Sequence, residues 1–507
     1  MHKAHRQVVT KTKHTMYQDT TLPEIESAME RAYQAFLKYR NKSAKEKALF
    51  IRTIAEELEL LGDAVLEVAM REAHLPYERL MGERGRTCFQ LRHVADTLEE
   101  GSWLEATIDT GQPERTPLPK PDVRNMLVPI GPVVVFGASN FPFAYSTAGV
   151  DPAAAWGAGC SVVVKAHPAH PETSAMVAEA IKKAIARTGM PEGVFEHVYG
   201  ANFEVGKALV MHPKTAAVGF TGSYGGGKAL FDLANQRPVP IPVFSEMGST
   251  NPVFLLPNAL ANEPEKYAKM YAASITGGMG QFCTKPGLMI GMEAAGLDKF
   301  MEVLTEEIRQ IQPLTMLHDG IAKAFRTKRT DVLSQEGVTL ASETQWPAEV
   351  YEGIPSVAFT SALEFVSNPT LHQEVFGPFA LLVKCQNLTQ MNEVISHLEG
   401  QLTCTVIANE IDLTQAEGLL ENISLLCGRL ILNGVPTGVE VGAAMQHGGP
   451  FPASTDGRFG SVGARAMKRF VRPFAFQNFP NNLLPDELKN GNPLKIWRLV
   501  DNQWTKD

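Results

Sequence analysis

Short runs of β-branched residues alternate with helix-like segments from Val133 onward, and this alternation limits the folds open to the chain. The runs are VVVF, SVVVK, VFEHVYG, AAVGF and PVFLL. Between two of them, Thr173 to Arg187 places its apolar residues on one stripe and stops at Gly189, as a helix that crosses over a parallel sheet does. The pattern predicts an α/β protein with a doubly wound, Rossmann-type parallel sheet.

The rest of the chain surrounds this region with further elements. At 507 residues it is long enough for two or three domains. Residues 21–75 predict helices, because two S/T-x-x-E sequences fit capping boxes and Gly62 ends an amphipathic stripe. A second α/β region is predicted from about Asn251 to the 450s. The Pro- and Thr-rich segment 109–122 resembles neither a helix nor a core strand, and we interpret it as an arm.

Charge and cysteine content exclude several classes of protein. A formal net charge of -8 argues against a nucleic-acid partner. No two of the six cysteines have metal-motif spacing, so no metal site is predicted, and their scarcity indicates a reducing, cytoplasmic environment. The basic N-terminus lacks the apolar core of a signal peptide, although a transit peptide stays open. Prolines interrupt the charge-free stretch 125–150, which therefore predicts a buried strand and loop and no membrane helix.

A glycine-rich segment, GFTGSYGGGKAL, satisfies most of a phosphate-binding P-loop pattern directly after the run AAVGF. The pattern fails at Ala229, where a Ser or Thr hydroxyl must ligate Mg²⁺. A turn of small residues leading into a helix still suits an anion, because the first N–H groups of the helix are free. We therefore predict a pyrophosphate site rather than an NTPase, with a plain glycine-rich turn as the alternative.

Two charged residues follow apolar strands. Lys165 ends the run SVVVK at the sheet edge where α/β proteins bind ligands, although a surface lysine there is equally ordinary. Glu246 lies among apolar and small residues in FSEMGSTNP. That setting suits either a general base or a hydrogen-bonded structural acid.

Cys283 differs from the other cysteines because it follows the glycine-rich sequence GGMGQF. Glycines free backbone N–H groups to face a developing oxyanion, and a thiolate is a strong nucleophile toward a carbonyl carbon. The remaining cysteines suit the ordinary role of small buried apolar residues.

Six motifs occur in the order that the aldehyde dehydrogenase superfamily shows, and the chain resembles that superfamily over nearly its whole length. They are GASNFP, VVVK, GFTGS, SEMGSTNP, GQFCT and EVFGP. The longer stretches FGASNFPFAYSTAGVD, VVVKAHPAHPETS and HGGPFPASTDGR resemble the branch that contains α-ketoglutaric semialdehyde (2,5-dioxopentanoate) dehydrogenases. This resemblance implies oxidation of 2,5-dioxopentanoate to 2-oxoglutarate in sugar-acid or hydroxyproline breakdown. A fatty or other aliphatic aldehyde is the alternative substrate.

The resemblance also implies a role for each motif residue. It makes Cys283 the nucleophile, Glu246 the general base and Asn140 the amide that helps to hold the oxyanion. The implied cofactor contacts are Lys165 to the adenosine ribose, Gly222, Ser223 and Gly227 to the pyrophosphate, and Glu374 and Phe376 to the nicotinamide ribose and ring. The thiolate attacks the aldehyde, hydride leaves to the nicotinamide, and a water activated by Glu246 hydrolyses the thioester. The presence of that base favours a free carboxylate product over transfer to coenzyme A.

The implied cofactor is NADP or NAD. Relatives that prefer NAD often carry a glutamate three residues after the lysine, whereas this chain has Pro168. A glutamate at position 168 would repel the 2′-phosphate of NADP. Because Pro168 carries no such charge, the sequence favours NADP and leaves the use of both cofactors open.

The resemblance implies three parts and an assembly. They are a dinucleotide-binding domain (1–102 and 124–250), a catalytic domain (251–460), and an oligomerisation arm with the C-terminal segment (103–123 and 461–507). A homodimer or homotetramer follows. Two rival classes are open, an inactive binding relative and a thiol hydrolase. The hydrolase requires a histidine beside the cysteine, and no histidine lies in the motifs around Cys283 or Glu246.

Overall fold

The computed structural model describes residues 17–507. Nearly all of the basic N-terminal segment whose targeting role was considered above lies outside them. Within the described range, the α-helices are α1 Leu22–Tyr39, α2 Ala44–Leu60, α3 Gly62–Ala73, α4 Tyr77–Glu100, α5 Val150–Ala158, α6 Pro171–Thr188, α7 Phe203–Met211, α8 Tyr224–Asn235, α9 Pro257–Asn262, α10 Pro264–Thr276, α11 Ala295–Gln310, α12 Asp319–Leu333, α13 Ala362–Ser367, α14 Leu388–Ser396, α15 Glu410–Gln415 and α16 Glu417–Ser424. None of these helices combines the length and the apolar character that a bilayer crossing needs.

The strands of the described residues form three sheets. They are β1 Thr107–Asp109, β2 Val123–Pro129, β3 Val133–Phe136, β4 Val162–Lys165, β5 Phe195–Val198, β6 Ala217–Thr221, β7 Val243–Glu246, β8 Val253–Leu255, β9 Leu288–Met292, β10 Thr339–Glu343, β11 Ser356–Ser361, β12 Phe379–Cys385, β13 Gln401–Ile407, β14 Cys427–Leu432, β15 Val471–Gln477, β16 Arg498–Val500 and β17 Gln503–Thr505.

The first sheet has the order β5-β4-β3-β6-β7, and all of its pairs are parallel. The chain moves outward from β3 to β5 and then returns across β3 to add β6 and β7. Ligands of open α/β sheets bind at the carboxyl ends of the strands beside such a reversal. The predicted doubly wound sheet is therefore confirmed, and its carboxyl edge carries Lys165 and Glu246 at the ends of β4 and β7.

The second sheet, in the order β10-β11-β12-β9-β8-β13-β14, is parallel except for the edge strand β10. The third sheet is β15-β2-β1-β16-β17 and is antiparallel apart from the β1–β16 pair. Strand β2 therefore pairs with the arm region and the C-terminal segment, and not with the sheet that starts at Val133. The segment 109–122 connects two neighbouring strands of this third sheet.

The amino-terminal helices follow the predicted signals. Both capping boxes are present, with Glu24 bonded back to Thr21 and Glu46 bonded back to Ser43. The break after α2 lies at Gly62, whose φ of +59° is a left-handed conformation that glycine adopts without strain.

The helices pack onto the first sheet through a large aromatic residue on α5. Trp156 is fully buried and makes edge contacts with Phe50 of α2 (5.8 Å) and Phe195 of β5 (6.0 Å). Burying a large apolar side chain contributes about 1.5–3 kcal/mol. These contacts hold the helical layer and the sheet in one rigid unit beneath the site.

Candidate active site

The glycine-rich turn after β6 leads into the N-terminus of α8. Ser223 is the N-cap residue, and its hydroxyl accepts a hydrogen bond from the Gly226 amide at 3.2 Å. A Cβ atom at Gly227 would lie 2.6 Å from Met247, so this position requires glycine for packing against the segment that follows Glu246. The remaining free N–H groups of the first turn suit an anion such as a pyrophosphate.

The lysine of the P-loop-like sequence does not serve that turn. Nζ of Lys228 lies 2.8 and 2.7 Å from the carboxylate oxygens of Asp232, one helical turn further along α8. Its charge is therefore neutralised on the helix surface. Together with Ala229, this contact argues against the NTPase alternative.

The loop before Cys283 needs its glycines for close backbone contact. Gly278, Met279 and Gly280 all have φ values near +55° to +61°. A Cβ atom at Gly280 would lie 2.3 Å from the Gly377 carbonyl oxygen. The cysteine loop thus packs backbone to backbone against the EVFGP segment, which brings two sequence motifs together.

Asn251, from the SEMGSTNP motif, holds the other side of the cysteine loop. Its Nδ2 donates to the backbone carbonyls of Cys283 (2.9 Å) and Lys285 (3.0 Å). The buried Lys285 side chain in turn donates to the carbonyls of Val375 (3.0 Å) and Phe379 (2.9 Å). These bonds fix the nucleophile between the segment that carries Glu246 and the segment that carries Glu374.

Glu246 ends β7 and is paired on both sides. Its backbone carbonyl accepts from the Gly222 amide at 3.0 Å, which ties it to the pyrophosphate turn. It also forms a bridge with Ser454, and the Met247 amide donates to the Ala453 carbonyl at 2.8 Å. This pairing draws the HGGPFPAST segment against the end of β7.

The same segment brings His447 to the centre of the site. Nε2 of His447 lies 3.5 Å from Sγ of Cys283 and 2.9 Å from Oε1 of Glu246. The other carboxylate oxygen of Glu246 accepts from the Ser461 hydroxyl at 2.6 Å. His447 is 1% exposed and Glu246 is 5% exposed, so the contacts lie away from bulk water.

The motifs around Cys283 and Glu246 contain no histidine, yet the fold brings His447 beside both residues. The histidine comes from a loop 164 positions after Cys283, so its approach depends on the tertiary fold and not on a neighbouring motif. The one signal was the stretch HGGPFPASTDGR, which carried the resemblance but was given no role. Ser461 was missed for the same reason.

Burial and charge set the ionisation of these groups. Burial raises the pKa of the Cys283 thiol well above its ordinary value, and the neighbouring Glu246 carboxylate adds to the rise. Burial alone would also raise the pKa of Glu246, but its contact with His447 and hydrogen bonds from Ser461 and Cys283 hold it below its ordinary value. The resting site thus combines a protonated thiol with an ionised carboxylate, and a nitrogen lies between them.

Asn140 lies beside the cysteine loop. Its Nδ2 donates to the Gln281 backbone carbonyl at 3.2 Å, two residues before Cys283, and the Asn140 backbone carbonyl accepts from Nη2 of Arg79 at 2.8 Å. The following loop is held by Glu83, whose carboxylate accepts from the amides of Phe143 (2.8 Å) and Ala144 (2.9 Å). The predicted oxyanion donor is therefore fixed next to the nucleophile.

The remaining predicted residues lie around the same sheet edge. Lys165 is half-buried at the end of β4. Burial lowers the pKa of its ammonium group, and the negative charge of Asp19 partly opposes this shift. The Glu374 carboxylate lies against the segment that follows β7, because a Cβ atom at Gly248 would lie 2.5 Å from Oε2 of Glu374. Burial raises the pKa of Glu374, opposed by Lys285 and Lys328. Phe376 is half-buried in the loop that packs against Gly280.

Cys283, Glu246 and His447 also place three ligand-type atoms within 4.8 Å of one another. Cysteine, histidine and carboxylate are ligands that zinc accepts. The sequence spacing alone did not predict this cluster. The arrangement equally provides a nucleophile, a proton carrier and a carboxylate in contact, which is the set that acyl chemistry requires.

Comparison with known proteins identifies the family. The Aldehyde dehydrogenase family model matches residues 3–323. The chain is 46% identical to the α-ketoglutaric semialdehyde dehydrogenase of Acinetobacter baylyi, over 97% of this chain and 93% of the relative. It is also 46% identical to α-ketoglutaric semialdehyde dehydrogenase 2 of Azospirillum brasilense, over 95% of this chain and 91% of the relative.

Solved structures agree in fold. A Staphylococcus aureus betaine aldehyde dehydrogenase in complex with NAD+ superposes with a TM-score of 0.77 at 18% identity, over 91% of this chain and 90% of that one. Bradyrhizobium japonicum Proline Utilization A superposes with a TM-score of 0.76 at 20% identity, over 93% of this chain and 47% of that one. With the family match and the close relatives, the chain belongs to the aldehyde dehydrogenase family.

Proposed function

We propose that this aldehyde dehydrogenase oxidises 2,5-dioxopentanoate to 2-oxoglutarate, with Cys283 as the nucleophile and NADP or NAD as the hydride acceptor. The observation that carries the chemistry is the contact of Sγ of Cys283 with Nε2 of His447, which also lies 2.9 Å from Glu246. The substrate is supported by the two relatives of 46% identity, both named α-ketoglutaric semialdehyde dehydrogenase.

The first half-reaction begins with the thiol proton. Because burial keeps the Cys283 thiol protonated at neutral pH, attack on the aldehyde requires an acceptor for that proton. Nε2 of His447 is within reach, and the Glu246 carboxylate stabilises the imidazolium that forms. The sulfur then bonds to the carbonyl carbon and gives a thiohemiacetal oxyanion.

Asn140 is proposed to stabilise that oxyanion together with the Cys283 backbone amide. A fixed donor in a water-poor site costs no reorganisation when the charge develops, and one such donor typically contributes about 2.7–4 kcal/mol. The bond to the Gln281 carbonyl holds the Asn140 side chain beside the cysteine loop, and Arg79 holds the Asn140 backbone.

The residues around the sheet edge fit a nicotinamide dinucleotide. The turn at Ser223 offers free helix N–H groups to the pyrophosphate, and Lys165 and Glu374 offer a cation and a carboxylate to the ribose hydroxyls. When bound, the dinucleotide accepts the hydride that leaves the thiohemiacetal carbon. Gly227 is proposed to preserve the packing of this turn against Met247.

The second half-reaction hydrolyses the thioester on Cys283. Glu246 is ionised and buried, so it is proposed to remove a proton from the attacking water. The thiolate leaves and recovers the proton held by His447, the carboxylate product departs, and the protons of Glu246 and of the product acid pass to solvent. A hydrolytic outcome, without coenzyme A, follows from this base.

Four further assignments belong to the same proposal. NADP is favoured because Pro168 removes the carboxylate that would oppose a 2′-phosphate. The domain division given above is proposed with one change, since β2 places residues 124–129 in the third sheet, which is the region proposed to join subunits into a dimer or tetramer. The location is proposed to be cytoplasmic, since all six cysteines are free.

Sedimentation as a monomer at micromolar concentration would contradict the proposed dimer or tetramer.

The test of the proposed function is the Cys283→Ser variant. We expect loss of aldehyde-dependent growth of absorbance at 340 nm with cofactor binding retained, as measured by fluorescence titration. Steady-state rates for the wild type with 2,5-dioxopentanoate and a fatty aldehyde, each with both cofactors, identify the substrate. Full activity of the serine variant, or absence of activity toward 2,5-dioxopentanoate, would contradict the proposal.

A further inference from the structure

Three arginines lie near the reaction centre without an ion-pair partner among residues 17–507. Arg79 and Arg86 are seven positions apart on α4, so they project from the same face of that helix. Arg429 belongs to β14, in the second sheet. A buried or half-buried guanidinium without a carboxylate is costly, so the arrangement calls for an anion or another role for each charge.

All three guanidinium groups have buried donors that no described residue satisfies, and in Arg79 these are Nε and Nη1. Nε and Nη2 of Arg86 are buried without a hydrogen-bond partner. Nε of Arg429 is in the same situation, although its Nη2 donates to the Pro436 carbonyl at 2.8 Å. Both arginines therefore retain hydrogen-bonding capacity for an acceptor that enters the site.

Arg86 lies against Tyr145, and Arg429 approaches the same apolar cluster. Cζ of Arg86 lies 5.7 Å from the Tyr145 ring centroid, and that ring lies 6.1 Å from the ring of His447. Nη1 of Arg429 lies 3.9 Å from Sδ of Met445, which packs against the apolar cluster that contains Tyr145. Arg86, on helix α4, and Arg429, on strand β14, thus approach the cluster around Tyr145, whose ring lies beside His447.

Electrostatics agree with this placement. The rise that burial causes in the pKa of Cys283 is opposed by the positive charge of Arg86. Burial lowers the pKa of Arg429, and Cys283 and Tyr145 oppose that shift. The two guanidinium groups therefore act on the same small volume as the nucleophile.

Arg79 has a different role. Its Nη2 donates to the Asn140 carbonyl, and its guanidinium lies over the rings of Phe282 (4.5 Å) and Phe141 (5.2 Å). These contacts make Arg79 a positioning residue for the loop of Asn140, and its loss should affect every aldehyde.

We propose that Arg86 and Arg429 select aldehydes that carry a carboxylate at the far end of a short chain, by binding that carboxylate while the aldehyde carbon lies at Cys283. This inference rests on the proposed function, and it assigns the preference for carboxylate-bearing aldehydes to Arg86 and Arg429. Guanidinium groups bind carboxylates through charge-assisted, often bidentate hydrogen bonds. A neutral aldehyde would leave both charges unpaired in the site, so selection against it follows from the same feature.

The first experiment uses the wild type alone. kcat/KM is measured for 5-oxopentanoate, which has the distal carboxylate, and for pentanal, which has the same chain length without it. We expect 5-oxopentanoate to be preferred by about tenfold or more. Preference for pentanal would overturn the proposal whatever the variants do. Good activity on 5-oxopentanoate with none on 2,5-dioxopentanoate would instead contradict the proposed function and leave the arginine proposal standing.

The second experiment compares Arg86→Met, Arg429→Met and the conservative Arg86→Lys. The readout is the ratio of kcat/KM for 5-oxopentanoate to that for pentanal, because Arg86 also acts on the thiol of Cys283 and its loss changes both rates. We expect each methionine variant to lower the ratio by about tenfold to a hundredfold and the lysine variant to restore part of it.

The matched control is Arg92→Met, which removes a half-buried arginine of the same helix, α4, whose guanidinium pairs with Glu59 of α2 at 2.7 Å. It should leave the ratio unchanged. If the Arg86 and Arg429 variants lost kcat/KM equally on both substrates, so that the ratio stayed at the wild-type value, the two arginines would have a structural role and the proposal would be overturned. Arg79→Met should give that equal loss.

Discussion

Nε2 of His447 lies 3.5 Å from Sγ of Cys283, although the two residues are 164 positions apart in the chain. The same nitrogen lies 2.9 Å from Oε1 of Glu246. Because one atom contacts both the thiol and the carboxylate, a proton can pass between sulfur, nitrogen and oxygen within the site. His447 therefore links the attack on the aldehyde to the hydrolysis that follows.

Replacement of His447 by Asn should slow thiolate formation. The Cys283 thiol has a pKa well above its ordinary value, so without the imidazole its ionised fraction at neutral pH is small and rises about tenfold with each unit of pH. We expect kcat at pH 7 to fall by about a hundredfold and to recover as the pH rises. Alkylation of Cys283 by iodoacetamide should slow in parallel. Wild-type alkylation kinetics in this variant would exclude His447 as the proton acceptor.

Replacement of Glu246 by Gln should stop the reaction at the thioester. The amide cannot take a proton from water, whereas the attack of Cys283 and the loss of hydride do not require it to do so. A single burst of reduced cofactor, equal to the concentration of sites, is expected in stopped flow, with the acyl-enzyme visible by mass spectrometry. Rapid multiple turnovers would show that another group activates the water. Cys283→Ser, which gives no burst, is the control.

Replacement of Ser461 by Ala should move the acidic limb of the hydrolysis step to higher pH. The Ser461 hydroxyl donates to Oε2 of Glu246 at 2.6 Å and helps to hold the pKa of that carboxyl below its ordinary value. Without this bond the pKa rises, and Glu246 is ionised only at higher pH. We expect a shift of about one pH unit in the pH profile of deacylation. Ser334→Ala, on an exposed helix end, should not move it.

Replacement of Pro168 by Glu should shift the cofactor preference toward NAD. Position 168 is exposed, so the carboxylate can be accommodated, and it lies three residues after Lys165. A negative charge there would repel a 2′-phosphate and leave a 2′-hydroxyl unopposed. We expect the ratio of kcat/KM for NADP to that for NAD to fall by about tenfold or more. An unchanged ratio would mean that position 168 does not contact the adenosine ribose end of the cofactor.

The sequence by itself determined the elements and most of the local chemistry. The β-branched runs at β3 and β4 formed central strands of the parallel sheet because each run is apolar on both faces, and the capping boxes at Thr21 and Ser43 began helices because they act within four residues. The left-handed loop at Gly278 and Gly280 followed from glycine content. These features depend on neighbours in the chain, which a sequence displays directly.

Only the tertiary structure decided what surrounds the sulfur atom. His447 and Ser461 reach Glu246 because the 447–461 segment pairs with the end of β7, and Arg86 and Arg429 approach the apolar cluster around Tyr145 from a helix and a strand far apart in sequence. No local pattern records such contacts, because they arise when separate elements pack together and lose water at the same place. The fold thus supplied the proton carrier and the two cations on which the proposed specificity depends.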